Sequence, residues 1–130
     1  NGVKIFQFFQ KFFSVWLKSF CSKKNIYIFF KIYIYMKLVS VKKSDRKDKE
    51  FVAEFSDGKK VHFGTGSNFV LNKKKTVKDK QNYIKRHSQN PLEKDALKNY
   101  RSAARLSMDL LWNTRSLETN IREYKKKYRL

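Results

Sequence analysis

Residues 50–64, EFVAEFSDGKKVHFG, have the pattern of a β-hairpin. The first six residues alternate, which predicts a strand with one inward face. That face comprises Phe51, Ala53 and Phe55. Asp57-Gly58 follows, a pair that can adopt the positive φ angles of a tight turn. Residues 60–64 form the return strand, with Val61 and Phe63 on one face.

Residues 37–43, KLVSVKK, predict a further strand before the hairpin. Strict alternation places Val39 and Val41 on one face and Leu38 and Ser40 on the other. A charged turn, SDRKDKE, joins this strand to the hairpin. The three strands predict an antiparallel meander, and a sheet this small needs a helical layer on its apolar face.

Three helices are predicted after the sheet, and each has a start signal. Thr76 with Asp79 resembles a capping box for a helix over 77–88. Asn90-Pro91 starts the second helix, and Ser116 caps the third. The predicted core stripes are Leu97, Tyr100, Ala104, Ser107 or Met108, and Leu111 in the second helix, and Leu117, Ile121, Tyr124 and Tyr128 in the third. The predicted fold class is therefore α+β, a three-stranded antiparallel β-meander packed by three α-helices.

The connection between sheet and helices, residues 64–75, begins GTGSN and ends KKK. Its apolar residues, Phe69–Leu71, are expected to pack back onto the sheet. GTGSN has the glycines of a phosphate cradle, but it lacks the further Gly and the Lys-Ser/Thr pair of a P-loop. We therefore interpret this segment as a connecting loop.

The composition changes at Met36, the first methionine of the chain. Residues 1–35 contain no Asp or Glu, and Phe, Tyr, Ile, Asn and Lys occupy 24 of the 35 positions. These five residue types share AT-rich codons. We therefore expect residues 1–35 to be an N-terminal extension, interpreted first as translated upstream sequence, and residues 36–130 to be a small basic domain.

Three other interpretations of the N-terminal extension are open. A membrane-spanning helix is disfavoured because the apolar run Ile26–Met36 has 11 residues and a span needs about 20. An amphipathic leader at a membrane surface fits the helical spacing of its aromatic residues. A transit peptide should be rich in Arg, and this stretch has none.

The chain carries 31 Lys and Arg against 11 Asp and Glu, a net charge of +20. Residues 36–130 alone carry 25 basic and 11 acidic side chains, so their net charge is +14. Such an excess indicates a polyanionic partner, first nucleic acid and second an anionic membrane. Codon bias in an AT-rich genome is an alternative, because Lys outnumbers Arg 24 to 7. The scarcity of Arg predicts little base-specific recognition.

The basic side chains form two clusters, and the twelve predicted nucleic-acid-binding residues belong to them. The loop cluster comprises Lys73, Lys74, Lys75, Lys78, Lys80, Lys85 and Arg86, all of which except Lys80 are predicted binding residues. The C-terminal cluster comprises Arg115, Arg122, Lys125, Lys126, Lys127 and Arg129. A basic helix after a tight turn is typical of a helix-turn-helix, but Lys125–Lys127 spread around the helix, which favours phosphate contacts. The two clusters would form a stripe about as wide as a duplex if they lay on the same side.

No enzyme, metal site, cofactor site or small-molecule substrate is predicted. Cys21 is the only cysteine, and His62 and His87 are isolated, so zinc spacing and catalytic pairs are both missing from the sequence. A single cysteine is weakly indicative of a reducing compartment. Trp112, Tyr124 and Tyr128 are interpreted as packing residues rather than base-stacking platforms.

Several motifs after Met36 resemble a family of small basic proteins of unknown function encoded by giant nucleocytoplasmic large DNA viruses. The matching positions are Met36–Val41, Phe63-Gly64, Tyr83–His87, Leu111–Asn113, Leu117, Ile121 and Tyr124–Tyr128. The chain departs from the family pattern after Asn90-Pro91 and at Arg115-Ser116. The resemblance implies a viral origin and a chain start at Met36; it implies no chemistry.

We therefore expect a non-catalytic, nucleic-acid-associated viral protein that binds the phosphate backbone, of DNA rather than RNA. It would act in the virion or in the virus factory of the infected-cell cytoplasm. Two alternatives are open: a virion structural or packing protein with acidic protein partners, and a membrane-surface protein that acts through residues 1–35.

Overall fold

The computed structural model describes residues 36–130, and the predictions about residues 1–35 lie outside the described residues. Three strands, β1 (Leu38–Lys43), β2 (Phe51–Phe55) and β3 (Lys60–Phe63), form an antiparallel sheet in the order β1-β2-β3. Helices α1 (Val77–Gln89), α2 (Pro91–Lys98), α3 (Ala103–Leu106) and α4 (Leu117–Tyr128) follow, and a π-helical turn (Ser107–Leu111) extends α3. The predicted α+β fold with a three-stranded meander is confirmed.

The hairpin between β2 and β3 turns at Gly58, whose φ is +83°. The Gly58 N–H donates to the Phe55 carbonyl at 2.9 Å, and the Phe55 N–H donates to the Lys59 carbonyl at 2.9 Å. Asp57 keeps a negative φ and instead accepts the Lys59 N–H on Oδ1 at 3.1 Å. The turn residues thus fix the register in which Phe51 pairs with Phe63.

The predicted faces of β1 were wrong because of an irregularity at Val39. Leu38 pairs with Phe55 and Ser40 with Glu54, so Val39 is an extra residue in a β-bulge. A bulge reverses the alternation beyond it. Leu38 is therefore buried, Val39 is 59% exposed, and Val41 packs against the core on the same side as Leu38.

The three predicted helix starts are confirmed. Thr76 and Asp79 form a reciprocal capping box. The Asn90 side chain accepts the Leu92 N–H, and the Ser116 hydroxyl accepts the Thr119 N–H. Each cap satisfies backbone donors that have no partner within the helix, which stabilises a helix by about 1 kcal/mol.

The predicted second helix is divided by a break at residues 99–102. The Asn99 side chain accepts the Arg101 N–H at 3.0 Å, and the Ser102 hydroxyl donates to the Ala96 carbonyl at 2.6 Å. These local bonds compete with the helical pattern, and Ser102 also caps α3 by accepting the Arg105 N–H.

The break and the π-helical turn change the core stripe of this region. Leu106 and Leu110, which the periodicity missed, are fully buried, whereas Leu97, Tyr100 and Ala104 are only half-buried. Met108 and Leu111 are buried as predicted. Each hydrogen bond of a π-helical turn spans one more residue than in an α-helix. A 3.6-residue period therefore does not locate the buried positions of this segment.

The helices cover the apolar face of the sheet. The core comprises Leu38, Ala53, Phe55, Phe63, Phe69, Leu106, Leu110, Leu111, Trp112 and Tyr124. Tyr124 confirms the predicted stripe of the last helix, and burial raises the pKa of its phenol. Phe69 is buried as expected, whereas Leu71 is 52% exposed.

Arg101 ties the helix break to the hairpin. Its Nη1 lies 2.5 Å from Asp57 Oδ2, and its guanidinium lies 5.7 Å from the centre of the Phe55 ring. Burial opposes ionisation of Asp57, but hydrogen bonds from the Lys59 N–H and the Arg101 guanidinium together lower its pKa. The break therefore packs against the turn that the hairpin sequence predicted.

Asn120 is the fully buried polar residue of the helical layer. Its Oδ1 accepts the N–H and the hydroxyl of Thr114, at 2.9 and 2.6 Å. Its Nδ2 donates to the carbonyls of Leu110 and Thr114, at 2.8 and 2.9 Å. The amide thus holds the end of the π-helical turn against the start of α4.

We expect Asn120→Asp to lower the free energy of unfolding by about 2–4 kcal/mol at neutral pH. A carboxylate would face the two carbonyl oxygens that now accept from Nδ2, and it would be buried. Urea unfolding of the full chain measures the effect. Asn99→Asp is the control, because Asn99 is exposed and uses only its oxygen; its cost should stay within about 0.5 kcal/mol. Equal costs would contradict the role of Asn120.

Gly64 closes the sheet against the π-helical turn. Its φ is +80°, and a Cβ at this position would lie 2.7 Å from Leu111 Cδ1. Its N–H donates to the Ser107 hydroxyl at 3.2 Å, and its carbonyl accepts the Glu50 N–H at 2.9 Å. A side chain here meets both backbone strain and a core clash.

Gly64→Ala should therefore cost about 2–4 kcal/mol of unfolding free energy, the sum of left-handed strain and overpacking. Gly66→Ala separates the two terms, because Gly66 has a φ of +71° but open space around its Cα. It should cost about 1–2 kcal/mol. Chemical denaturation of both variants tests this; a Gly66 variant as unstable as the Gly64 variant would show that the Leu111 contact is unimportant.

Candidate nucleic-acid interface

The loop that carries Lys73–Lys75 is held by its own asparagines. Asn68 Oδ1 accepts the N–H groups of Val70 and Leu71, at 3.1 and 2.9 Å. Asn72 Oδ1 accepts the Lys74 N–H at 3.0 Å, and its carbonyl accepts the Lys75 N–H at 3.1 Å. The backbone N–H groups of Lys74 and Lys75 are therefore hydrogen-bonded within the loop, while the Lys73 and Lys74 side chains are exposed.

Arg115 connects the C-terminal cluster to this loop. Its guanidinium lies 4.2 Å from the centre of the buried Phe69 ring, within the range of a cation–π contact. Its Nη2 donates to the Lys75 carbonyl at 2.5 Å, and its Nη1 is 3.5 Å from the Phe69 carbonyl. Arg115 is nonetheless exposed.

Lys80 of α1 also reaches the turn before α4. Its ammonium donates to the Asn113 carbonyl and lies 6.0 Å from the Phe69 ring centre. Lys80 and Arg115 thus flank the same aromatic ring. The structure places Arg115 beside the loop cluster, as the predicted stripe requires, but it does not do so for the whole C-terminal cluster.

The basic residues at the end of α4 have a different neighbourhood. Lys127 Nζ lies 3.3 Å from both carboxylate oxygens of Asp109, which also accepts from Arg105 Nε and the Tyr128 hydroxyl. Arg129 ends the helix in a left-handed conformation, with φ of +56°. Within residues 36–130, no hydrogen bond or ion pair joins this end of α4 to the loop cluster.

Most of the twelve predicted binding residues present an uncompensated charge. Ten are exposed: Lys73, Lys74, Lys78, Lys85, Arg86, Arg115, Arg122, Lys126, Lys127 and Arg129. Lys75 and Lys125 are half-buried. Among the ion pairs of the described part of the chain, only the Lys127–Asp109 pair involves one of the twelve.

A pocket of about 340 Å³ lies where the GTGSN segment, residues 64–68, meets α1 and the π-helical turn. We call this segment the Gly-rich loop. The pocket lining includes two predicted cationic residues, Lys75 and Arg86. It also includes Asn68, Asn82 and Asp79, which are not among the predicted site residues. The only sequence signal for this pocket is the GTGSN loop, four of whose five residues, Gly64, Thr65, Ser67 and Asn68, line it.

Asn68 has a donor without a partner. The residue is 2% exposed, and its Oδ1 is committed to two backbone N–H groups, which fixes the orientation of the amide. Its Nδ2 is buried and has no hydrogen-bond partner within residues 36–130. A buried donor without a partner costs about 1–3 kcal/mol. Buried polar groups normally have a hydrogen-bond partner, so we expect an acceptor for Nδ2.

The carboxylate that lines the pocket stays ionised over a wide pH range. Hydrogen bonds from the backbone N–H and the hydroxyl of Thr76 lower the pKa of Asp79. The pocket therefore contains both signs of charge, with cations at Lys75 and Arg86 and an anion at Asp79.

The aromatic residues beside the pocket serve packing, as predicted for Trp112. Trp112 is 6% exposed, and its ring stacks on Tyr83 with centroids 4.2 Å apart and an interplanar angle of 9°. Burial, and then the Glu93 charge, raise the pKa of Tyr83. Both rings contribute to the pocket wall. Tyr124 and Tyr128 likewise pack on one another, with centroids 4.8 Å apart.

The two histidines have structural contacts. His62 Nδ1 lies 2.8 Å from the Ser44 hydroxyl, and His87 contacts Glu93 at the start of α2. Over residues 36–130, no group of three or more His, Cys, Asp or Glu side chains is placed to hold a metal ion. No helix in that range is long and apolar enough to cross a bilayer.

Arg115→Gln should loosen the loop. The variant loses the Phe69 contact and the bond to the Lys75 carbonyl, so local stability should fall by about 1 kcal/mol. Hydrogen exchange of the Lys75 amide should then be about fivefold faster. Arg122→Gln removes the same charge from an exposed position and should leave this rate unchanged. Equal acceleration in both variants would mean that charge alone orders the loop.

The chain matches no protein-family model, no curated protein sequence and no solved structure. The resemblance to the basic proteins of giant viruses therefore stays a prediction from the motifs after Met36.

Proposed function

We propose that this protein binds nucleic acid without catalysis, through contacts between Lys and Arg side chains and the phosphate backbone. The observation that carries the proposal is the uncompensated charge of the described domain. Residues 36–130 have a net charge of +14, and most of the predicted binding residues are exposed and outside ion pairs. A duplex offers the dense, regular negative charge that such a surface would neutralise.

The loop cluster with Arg115 is the better supported half of the interface. The hydrogen bonds of Asn68 and Asn72 order the backbone of this loop. Less conformational freedom is therefore lost when phosphates bind, which favours affinity. The end of α4 contributes less, because Asp109 offsets the charge of Lys127.

The start of α4 supports phosphate contacts over base reading. A helix-turn-helix reads bases with the N-terminal residues of its second helix. Here those residues are Leu117, Glu118 and Thr119, and Leu117 packs against the core. A glutamate in the first turn would be repelled by a phosphate backbone. The proposed mode is therefore sequence-independent.

The proposed setting is that of the viral family that the motifs resemble, the virion or the virus factory. DNA is the proposed form of nucleic acid. Both parts of the proposal rest on the sequence resemblance alone, and the experiment below tests binding independently of them.

Binding of the full chain to a labelled DNA duplex should weaken steeply with salt. If six phosphates are engaged, log K against log salt should have a slope of about −5. Fluorescence anisotropy over a salt series measures it, with single-stranded DNA and duplex RNA of equal length in parallel. A slope near zero on all three nucleic acids would overturn the proposal.

A triple variant locates the interface. Replacing Lys73, Lys74 and Lys78 by Gln should reduce the magnitude of the slope by about 3. The matched control replaces Lys37, Lys59 and Lys94, three exposed lysines outside both clusters, and so removes the same total charge. An equal loss of slope in both triple variants would contradict the assignment to the loop cluster.

A further inference from the structure

The pocket between the Gly-rich loop and α1 has an arrangement that phosphate-backbone binding does not use. Backbone binding needs exposed cations, whereas here the buried Asn68, two cationic residues and Asp79 line one concavity. Its volume of about 340 Å³ falls within the roughly 300–1,000 Å³ of small-molecule sites.

We propose that this pocket binds a single nucleotide unit. Lys75 and Arg86 would take its phosphate group, since both cations line the pocket. Asn68 Nδ2 would donate to an acceptor on the sugar or the base. Asp79 and Asn82 would accept from hydroxyl or amino groups, which a nucleotide carries and inorganic phosphate does not.

The mixed charge of the lining is the reason to choose a nucleotide over a simple anion. Asp79 is held ionised by its bonds to Thr76, and a carboxylate beside a bare phosphate is unfavourable. A ligand with an anionic end and a donor-bearing end matches both kinds of wall. The half-buried Tyr83 ring supplies apolar surface that a sugar or base would cover.

The buried amide of Asn68 is the independent observation behind the proposal. Lysine and arginine at a pocket rim also occur on solvated surfaces, but an asparagine that is 2% exposed with an unpartnered Nδ2 is uncommon. The conformation of the loop requires only Oδ1. The loop conformation therefore does not account for the donor end of the side chain, and Asn68 is one of the residues that line the pocket.

The test is isothermal titration of the full chain with adenosine 5′-monophosphate, inorganic phosphate, adenosine and a 5′-phosphorylated trinucleotide. The monophosphate should bind more tightly than phosphate or adenosine. If the trinucleotide binds no more tightly than the monophosphate, the site takes a free or terminal nucleotide. If the trinucleotide binds more tightly, the site belongs to a strand. Both results support the proposal; no binding of either nucleotide overturns it.

Asn68→Asp is the decisive variant. An aspartate keeps an oxygen for the Val70 and Leu71 N–H groups but replaces the free donor by a negative acceptor, so affinity should fall about tenfold or more. Asn99→Asp makes the same charge change outside the pocket and should stay within about twofold of wild type. Equal losses in the two variants would mean that general electrostatics explains the binding, and would overturn the proposal.

Two surface variants keep the test valid if Asn68→Asp unfolds. Lys75→Gln and Arg86→Gln should each weaken the monophosphate by about three- to tenfold and leave adenosine binding unchanged. Equal weakening of both ligands, or of neither, would contradict a phosphate position between these residues. The pocket does not include Lys73, Lys74 or Lys78, so this proposal and the backbone-binding proposal can fail separately.

Discussion

The four hydrogen bonds of the buried Asn120 amide fix the turn between the π-helical segment and α4. That turn carries Arg115, and Arg115 in turn lies on Phe69 and holds the Lys75 carbonyl. The Asn120 amide therefore helps to position the loop that carries Lys73–Lys75, together with the asparagines of the loop itself. The basic surface is an outcome of packing, although its residues are exposed.

The electrostatics of the domain place a demand on this packing. A net charge of +14 on 95 residues opposes compaction, because most of the basic side chains have no acidic neighbour. Three of the aspartates make contacts that stabilise the fold. Asp57 secures the helix break to the hairpin, Asp79 completes a capping box, and Asp109 gathers Arg105, Lys127 and Tyr128. Most of the remaining basic side chains have no ion pair within residues 36–130 and form the proposed interface.

Local signals in the sequence were sufficient for the order of the strands and for three of the four helix starts, those of α1, α2 and α4. Gly58, the Thr76–Asp79 box, Asn90-Pro91 and Ser116 all act within four residues, so their effect can be read without tertiary information. The bulge at Val39, the break at residues 99–102 and the π-helical turn could not be read in this way. Each shifts a periodic pattern by one or more residues, and each is stabilised by contacts with another element.

The candidate site was only partly accessible from sequence for a related reason. The basic residues could be identified by type, but their grouping depends on the Arg115–Phe69 contact, which spans 46 residues. Asn68 could not be identified at all. Its significance comes from burial and from a missing partner, and neither property is visible in the residue type.

The bulge at Val39 has a consequence beyond the faces of β1. Within residues 36–130 the strand order is β1-β2-β3, so β1 is an edge strand of the described sheet. The extra residue interrupts the regular spacing of the backbone groups of β1, and Lys42 and Lys43 at the end of the strand add charge repulsion. An irregular, charged edge resists the addition of a strand from another copy. The bulge, which makes strict alternation a wrong guide to the faces of β1, thus also protects a small sheet from edge-to-edge aggregation.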